Sequence, residues 1–251
     1  MISLKTFDWQ IENIETILFD KDGTFIDLHY FWGKMTEMRA LAVIKKLSLS
    51  KKYFSKICLF LGYDLSSKKM LPDGITALYS RSKIIEIFRE NLKEFGIIST
   101  KEEIENIFDF VSTEFYKNMQ EYTKPIEEAI NFIKTLHQMG VKLGIVTSDS
   151  VESTELTLKH LDWEKYFDVI IGRESSEFTK ESGEPTKLAL TALEAKPETT
   201  IMIGDAPVDY ISAKNAGINM TILVASGQIK KEELIKTSPY VVNTLSEINI
   251  F

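Results

Sequence analysis

One cysteine, three histidines and six prolines are all that the 251-residue chain holds of those types. The lone Cys58 excludes an internal disulfide, and no Cys/His tract has the ligand spacing of a zinc site. A reducing, cytoplasmic setting is the expectation that follows. Positive charge is also in deficit, with 30 Lys and Arg against 37 Asp and Glu, a net −7. That excludes a nucleic acid held by general electrostatics. It leaves open a small phosphorylated ligand, which needs only a local patch of donors. There is no run of ~18 apolar residues, so no membrane partner is expected. Asp8 interrupts the N-terminal stretch where a signal peptide would need an apolar region. What is plentiful is core material: 44% of residues are hydrophobic and 27% charged, the balance of a folded chain with a solvated surface. The length suits one large domain or two small ones, as a monomer or a homodimer.

Periodicity splits the chain into two textures. Residues 28–122 read as helical. Phe31 to Ile44 places apolar residues three and four apart, Lys52 to Leu61 forms a second helix stopped by Gly62, and Pro72-Asp73-Gly74 makes a turn. Ile84, Ile85, Ile87, Phe88, Leu92 and Phe95 stripe a third helix that ends at Gly96. Ser99-Thr100 opens a fourth, with Glu102 and Glu103 where the helix dipole favours acids. A small bundle is expected. Residues 1–27 and 123–251 alternate instead. Apolar runs at Thr16–Phe19, Leu143–Val146, Asp168–Ile171, Thr200–Ile203 and Met220–Val224 are separated by helical stretches. Near-continuous apolar strands alternating with helices predict an α/β core, a doubly wound parallel sheet interrupted after its first strand by the helical segment.

In such a sheet chemistry collects beyond the carboxyl ends of the strands. Three of the predicted strands run into polar motifs: Asp20-Lys21-Asp22-Gly23-Thr24, Thr147-Ser148-Asp149, and Gly204-Asp205-Ala206-Pro207-Val208-Asp209. Each alone reads equally well as turn or capping chemistry, since Asp-Gly is a common turn and Thr147 or Ser148 could cap a helix. Together they would gather Asp20, Asp22, Asp205 and Asp209 at one sheet edge. Clustered carboxylates repel, and one would take up a proton unless a cation were present. A hard, oxygen-seeking Mg²⁺ is the cation that suits them.

With these motifs the chain resembles the haloacid dehalogenase superfamily, in its phosphatase branch with a helical cap inserted after the first motif, most like phosphoglycolate-phosphatase-type enzymes. Asp20 to Thr24 matches D-x-D-G-T, Thr147 the hydroxyl motif, and Gly204 to Asp209 the motif G-D-x-x-x-D. Ala213 to Gly217 and Ser226-Gly227-Gln228 also fit. The resemblance implies a Rossmann-like core with a cap at 28–122. It also implies a Mg²⁺-dependent phosphatase that hydrolyses a small phosphorylated metabolite through an aspartyl-phosphate. Asp20 is then the nucleophile and Asp22 the acid and base. Thr147 and the Ser148 amide become phosphoryl donors, and Asp20, the Asp22 carbonyl, Asp205 and Asp209 the metal set. The family's lysine falls on Lys180 by ungapped counting back from Asp205, with Lys187 the alternate, because the Lys-Pro pair common in that motif is absent.

Rival readings are weaker. An EF-hand with Gly23 at its sixth place would put Leu18 and His29 where acids are required. A haloalkanoate dehalogenase does not need Asp22, and the superfamily's transport ATPases have Thr at that position. A sugar-phosphate mutase on the same scaffold stays open, as does a non-catalytic interaction protein, although the latter should have lost a core acid. Cys58 reads as a small buried hydrophobe, and His29, His137 and His160 as packing or helix-end residues. Lys68, Lys69 and Arg81 read as a solvated charged face rather than an anion site.

Overall fold

The computed structural model describes all 251 residues. The chain opens with β1 (Ile2–Lys5), β2 (Gln10–Ile14) and β3 (Thr16–Phe19). Every residue of β3 is buried, as its unbroken apolar run demands of a central strand. The chain leaves this unit at Asp27 and re-enters it at Pro125. The two crossing points are pinned together, with the Ile126 N–H donating to the Phe25 carbonyl at 3.0 Å.

Residues 28–124 fold as a compact unit of their own, two residues longer than the 28–122 expected. It contains α1 (Leu28–Lys46), α2 (Phe54–Phe60), β4 (Tyr63–Asp64), β5 (Lys69–Met70), α3 (Ile75–Leu78), α4 (Arg81–Lys93), α5 (Lys101–Lys117) and α6 (Met119–Tyr122). The stripes of α4 and α5 are buried, from Ile84, Ile85, Phe88 and Leu92 to Ile104, Ile107, Phe108, Val111 and Phe115. Thr100 and Glu103 close a capping box at the start of α5, a device that contributes about 1 kcal/mol. Two details differ from expectation. The helix expected from Lys52 begins as a 3₁₀ turn, and the bundle carries the short antiparallel hairpin β4–β5, whose two-residue strands leave no periodic signal. Cys58 is fully buried in this unit's core, and burial pushes its thiol up to about 12, an inert state. His29 accepts the Met70 N–H at Nδ1, a packing role.

The rest of the core follows as α7 (Glu127–Gln138), β6 (Lys142–Val146), α8 (Val151–Leu161), β7 (Val169–Ile171), α9 (Glu184–Ala192), β8 (Thr200–Gly204), α10 (Pro207–Asn215), β9 (Met220–Val224), α11 (Lys231–Leu234), β10 (Tyr240–Val242) and β11 (Asn249–Ile250). Six strands form one sheet in the order β10-β9-β8-β3-β6-β7, and every pairing in it is parallel. This is the Rossmann-like doubly wound core, with the helical unit inserted after its first parallel strand. A separate antiparallel sheet, β11-β1-β2, lies outside the expected strands. Beneath β3, Phe19 meets Phe25, Phe132 and Phe167 edge-on at centroid distances of 6.1–6.4 Å. The strand order reverses at β3: β6 and β7 extend on one side and β8 to β10 on the other. The crevice beyond such a switch point is where an open α/β sheet binds ligands.

Candidate active site

Register brings the polar motifs together. Phe19 is level with Ile145 of β6 and Ile203 of β8, so Asp20, Thr147 and Asp205 emerge from three adjacent strands at nearly the same height. Asp20 donates its N–H to the Ile203 carbonyl at 2.8 Å, and Thr147 donates its own to Ile171 at 3.0 Å. Asp209 joins from the first turn of α10, where its Oδ2 accepts the Ala206 N–H at 3.0 Å and so caps the helix. Asp20, Asp205 and Asp209 each offer a carboxylate oxygen within 4.8 Å of the others, and all three are buried.

Lys180 is the cation at this cluster. Its Nζ lies 2.6 Å from Asp20 Oδ1 and 2.6 Å from Asp209 Oδ1, with 4% of the side chain exposed. A one-turn 3₁₀ segment, Lys180–Ser182, carries it. That segment is fastened to α10, because Asn215 donates to the Glu181 carbonyl at 2.7 Å. Gly183 then turns with φ +81°, and a Cβ there would meet Asn215 at 2.7 Å. Lys187, the alternate, sits on the exposed side of α9 and pairs with Glu184 at 2.7 Å. Ser148 is exposed, so its hydroxyl is not part of this buried set.

The Asp22 carboxylate belongs to a second network that sequence reasoning passed over. Lys21, fully buried, reaches Asp22 Oδ1 at 2.7 Å and Asp149 Oδ2 at 3.1 Å. Asp149 is held in turn by the Ser153 hydroxyl at 2.7 Å and the Ser150 N–H at 2.8 Å. Burial would weaken the charge on Lys21, but Asp22 and Asp149 outweigh it and keep the ammonium protonated. Burial would likewise raise Asp149, and Lys21 with Ser153 holds it below the usual carboxylate range instead. Both residues lie inside motifs already singled out. Their only sequence signal was a lysine between two aspartates.

Electrostatics mark the three-acid cluster as incomplete on its own. Burial pushes the Asp20 carboxyl up to about 7; Lys180 opposes the rise, and the Asp209 and Asp22 charges add to it. Burial, with Asp20 and Asp209 nearby, holds Asp205 well above the usual carboxylate range. Were all three carboxylates ionised, one ammonium would leave two negative charges unbalanced among buried groups, the amount that one divalent cation neutralises. The donors are all hard oxygens, so the residues fit an ion such as Mg²⁺.

A proton and a divalent cation would compete for these oxygens, which would set a pH dependence. Asp20 holds its proton more tightly folded, at about 7, than at its ordinary 3.8. Its contribution to metal-free stability is therefore full below about pH 4 and lost as pH rises through about 7. A cation removes that penalty above pH 7 and must displace the proton below it. The rise in melting temperature produced by Mg²⁺ is expected to be larger at pH 8 than at pH 6. Scanning fluorimetry with and without Mg²⁺ reads this directly, and an equal or larger rise at pH 6 contradicts it.

Two glycines shape the cradle around Asp205. A Cβ on Gly23, which turns at φ +90°, would come within 2.4 Å of Asp205 Oδ2, and one on Gly227 within 1.7 Å. Ser226 fastens the two loops by donating its hydroxyl to the Gly23 carbonyl at 2.6 Å. Gly227→Ala must displace the Asp205 carboxylate. Metal affinity is expected to fall about 10- to 100-fold, the usual cost of disturbing a ligand's support, with far-ultraviolet circular dichroism unchanged. Titration of Mg²⁺ against melting temperature measures it.

Acids converging at the switch point of a parallel sheet form a crevice whose hard oxygens could hold a divalent cation. The chain belongs to the haloacid dehalogenase-like hydrolases: that family's model matches residues 17–223, a span containing every acid of the cluster and Lys180. It is an enzyme of the family's phosphatase branch. Pyrophosphatase PpaX of Halalkalibacterium halodurans is 28% identical over 210 residues, covering 84% of this chain and 83% of that one. Phosphoglycolate phosphatase of Aquifex aeolicus is 26% identical over 219 residues, covering 86% and 87%. A crystal structure of a predicted phosphoglycolate phosphatase from Haemophilus somnus superposes with a TM-score of 0.73 at 14% identity, covering 93% of this chain and 96% of that one. No helix is long and apolar enough to cross a membrane.

Proposed function

We propose that the protein is a Mg²⁺-dependent phosphatase that moves a phosphoryl group from a small phosphorylated metabolite to Asp20 and then to water. The observation that carries this reading is the convergence of Asp20, Asp205 and Asp209 within 4.8 Å, with Lys180 bridging two of them. Asp20, Asp205, Asp209 and the Asp22 carbonyl would hold the ion. When bound, the ion neutralises the charge that would otherwise keep a phosphate dianion away from a carboxylate.

The chain's own groups supply the rest. A carboxylate oxygen of Asp20 attacks phosphorus, the bond from phosphorus to the leaving oxygen breaks, and Asp22, which must enter this step protonated rather than as the anion paired with Lys21, gives that oxygen its proton. Asp22, now ionised, takes a proton from water, whose oxygen attacks the phosphorus of the aspartyl-phosphate. Phosphate leaves and Asp20 is restored. Lys180 opposes the rise that burial imposes on the Asp20 carboxyl, favouring its ionised, attacking form, and would face the transferring oxygens. The Thr147 hydroxyl and the Ser148 N–H donate to those same oxygens. The relatives are named for one phosphoanhydride and one phosphomonoester. The feature common to both is a small, strongly anionic phosphate compound, and that is the substrate class we assign here.

A phosphate-release screen over common phosphorylated metabolites, with and without Mg²⁺, tests the assignment. Release of inorganic phosphate that depends on Mg²⁺ supports it. Return of the phosphoryl group to the sugar, with no phosphate released, would make the protein a mutase instead.

A further inference from the structure

We propose that the inserted helical unit contains an oxyanion site of its own, centred on Arg39 of α1 and suited to a phosphate or carboxylate group. Arg39 is 6% exposed. No carboxylate pairs with it, and its Nε is sealed from solvent without a hydrogen-bond partner. The contact it makes is with an aromatic ring, the guanidinium carbon lying 4.7 Å from the centroid of Phe108. A ring face replaces only part of the hydration that such a group gives up. Proteins rarely bury a guanidinium in this way unless it is paired.

The surroundings are rich in donors. Thr36 lies one turn earlier on the same face of α1, and its hydroxyl is also buried and unpartnered. Arg81 at the start of α4 lies within electrostatic range of Arg39, as does the Tyr116 phenol. Asp109 pairs with Arg81 rather than with Arg39. Ser80 gives α4 no side-chain cap, so the first turn of a thirteen-residue helix keeps its donors beside Arg81. Burial and the like charge of Arg81 bring the Arg39 guanidinium down to about 10, which still leaves it charged at neutral pH. A cation that cannot shed its charge, beside an idle hydroxyl and a second arginine, lacks one component, an oxyanion. The planar fork of arginine is suited to hold phosphate or carboxylate by two parallel bonds.

This inference does not depend on the catalytic reading, because its primary readout is binding. Inorganic phosphate is titrated into the Mg²⁺-saturated full-length chain by calorimetry. The wild type is expected to bind one more phosphate per chain than Arg39→Met, while Arg39→Lys keeps the charge, loses the fork and binds about tenfold more weakly. Arg81 is partly exposed, so Arg81→Met should fold normally and weaken the same phosphate several-fold. It serves as the test should Arg39→Met fail to fold. Equal stoichiometry and affinity in wild type, Arg39→Met and Arg81→Met would overturn the proposal and leave Arg39 a packing residue.

Kinetics then identifies the source of the anion. If Arg39→Met raises KM for phosphorylated carboxylic acids and leaves p-nitrophenyl phosphate unchanged, the site holds the substrate's own second anionic group. If no KM moves but phosphate ceases to alter the rate, the site serves a free effector.

Discussion

Asp20→Asn is expected to lower turnover by roughly 10⁴-fold or more, in the range seen when an enzyme loses its nucleophile, while the fold is retained. The amide has the shape of the carboxylate, so the Phe19–Asp20 main chain and its hydrogen bond to Ile203 at 2.8 Å should persist. The amide cannot form an acyl-phosphate of comparable reactivity. Stability gives the prediction a second edge. Asp20 carries a burial penalty large enough to push its carboxyl up to about 7, and a neutral side chain escapes it. The metal-free variant should therefore melt no lower than the metal-free wild type at pH 8, with Lys180 still paired to Asp209 at 2.6 Å. Stopped assays and acid-trapped phosphoprotein read the chemistry, and fluorimetry reads the fold. Full activity in a purified, verified Asp20→Asn sample would remove the aspartyl-phosphate from the account.

The core was legible because its strands obey a simple rule. β3, β6 and β8 are buried along nearly their whole length, so they read as unbroken apolar runs that end in polar motifs. The antiparallel sheet β11-β1-β2 was not legible. Its strands are two to five residues long and half-exposed, and their pairing joins the two ends of the chain, which no local pattern reports. β10, with three residues, fell below the same threshold. Asp20 and Asp205 could be placed at one sheet edge from sequence because each follows a strand directly, and Asp209 because it lies in the first turn of the helix that comes next. The lysine had no such strand-end signal: the family resemblance alone favoured Lys180, with Lys187 as alternate, because Lys180 arrives on a one-turn 3₁₀ segment between a strand and a helix. What fixes it is the Asn215 bond to Glu181 and the close packing of Gly183 on Asn215, contacts between segments some thirty residues apart. The Lys21–Asp149 pair stayed hidden for a related reason. A charge sum counts ions but cannot tell which are buried together, and a fully buried lysine runs against the ordinary expectation for that residue.

Lys180→Met is expected to produce the second largest effect, on two readouts that move differently. The substitution removes both ion pairs and leaves Asp20, Asp205 and Asp209 without a cation among them. Removing one member of a buried pair costs about 3–5 kcal/mol, so the metal-free variant should be destabilised on that order at pH 8. At pH 6 the loss should shrink. Without Lys180 the Asp20 carboxyl holds its proton still more tightly than the wild-type value of about 7, and the protonated acid no longer repels its neighbours. Mg²⁺ should restore much of the stability, because two positive charges replace the one removed. It should not restore the rate, because the ammonium proposed to face the transferring oxygens is gone. A fall in kcat of roughly 10²- to 10³-fold is expected, the cost of losing one well-placed charge stabiliser. Lys187→Ala is the matched control. Its exposed pairing with Glu184 at 2.7 Å is worth well under about 1 kcal/mol, and neither rate nor melting temperature should change measurably. Urea denaturation at both pH values and steady-state kinetics with saturating Mg²⁺ separate the outcomes. An inactive Lys187→Ala beside an active Lys180→Met would mean that the loop before α9 takes another course in the working enzyme, bringing the other lysine to Asp20.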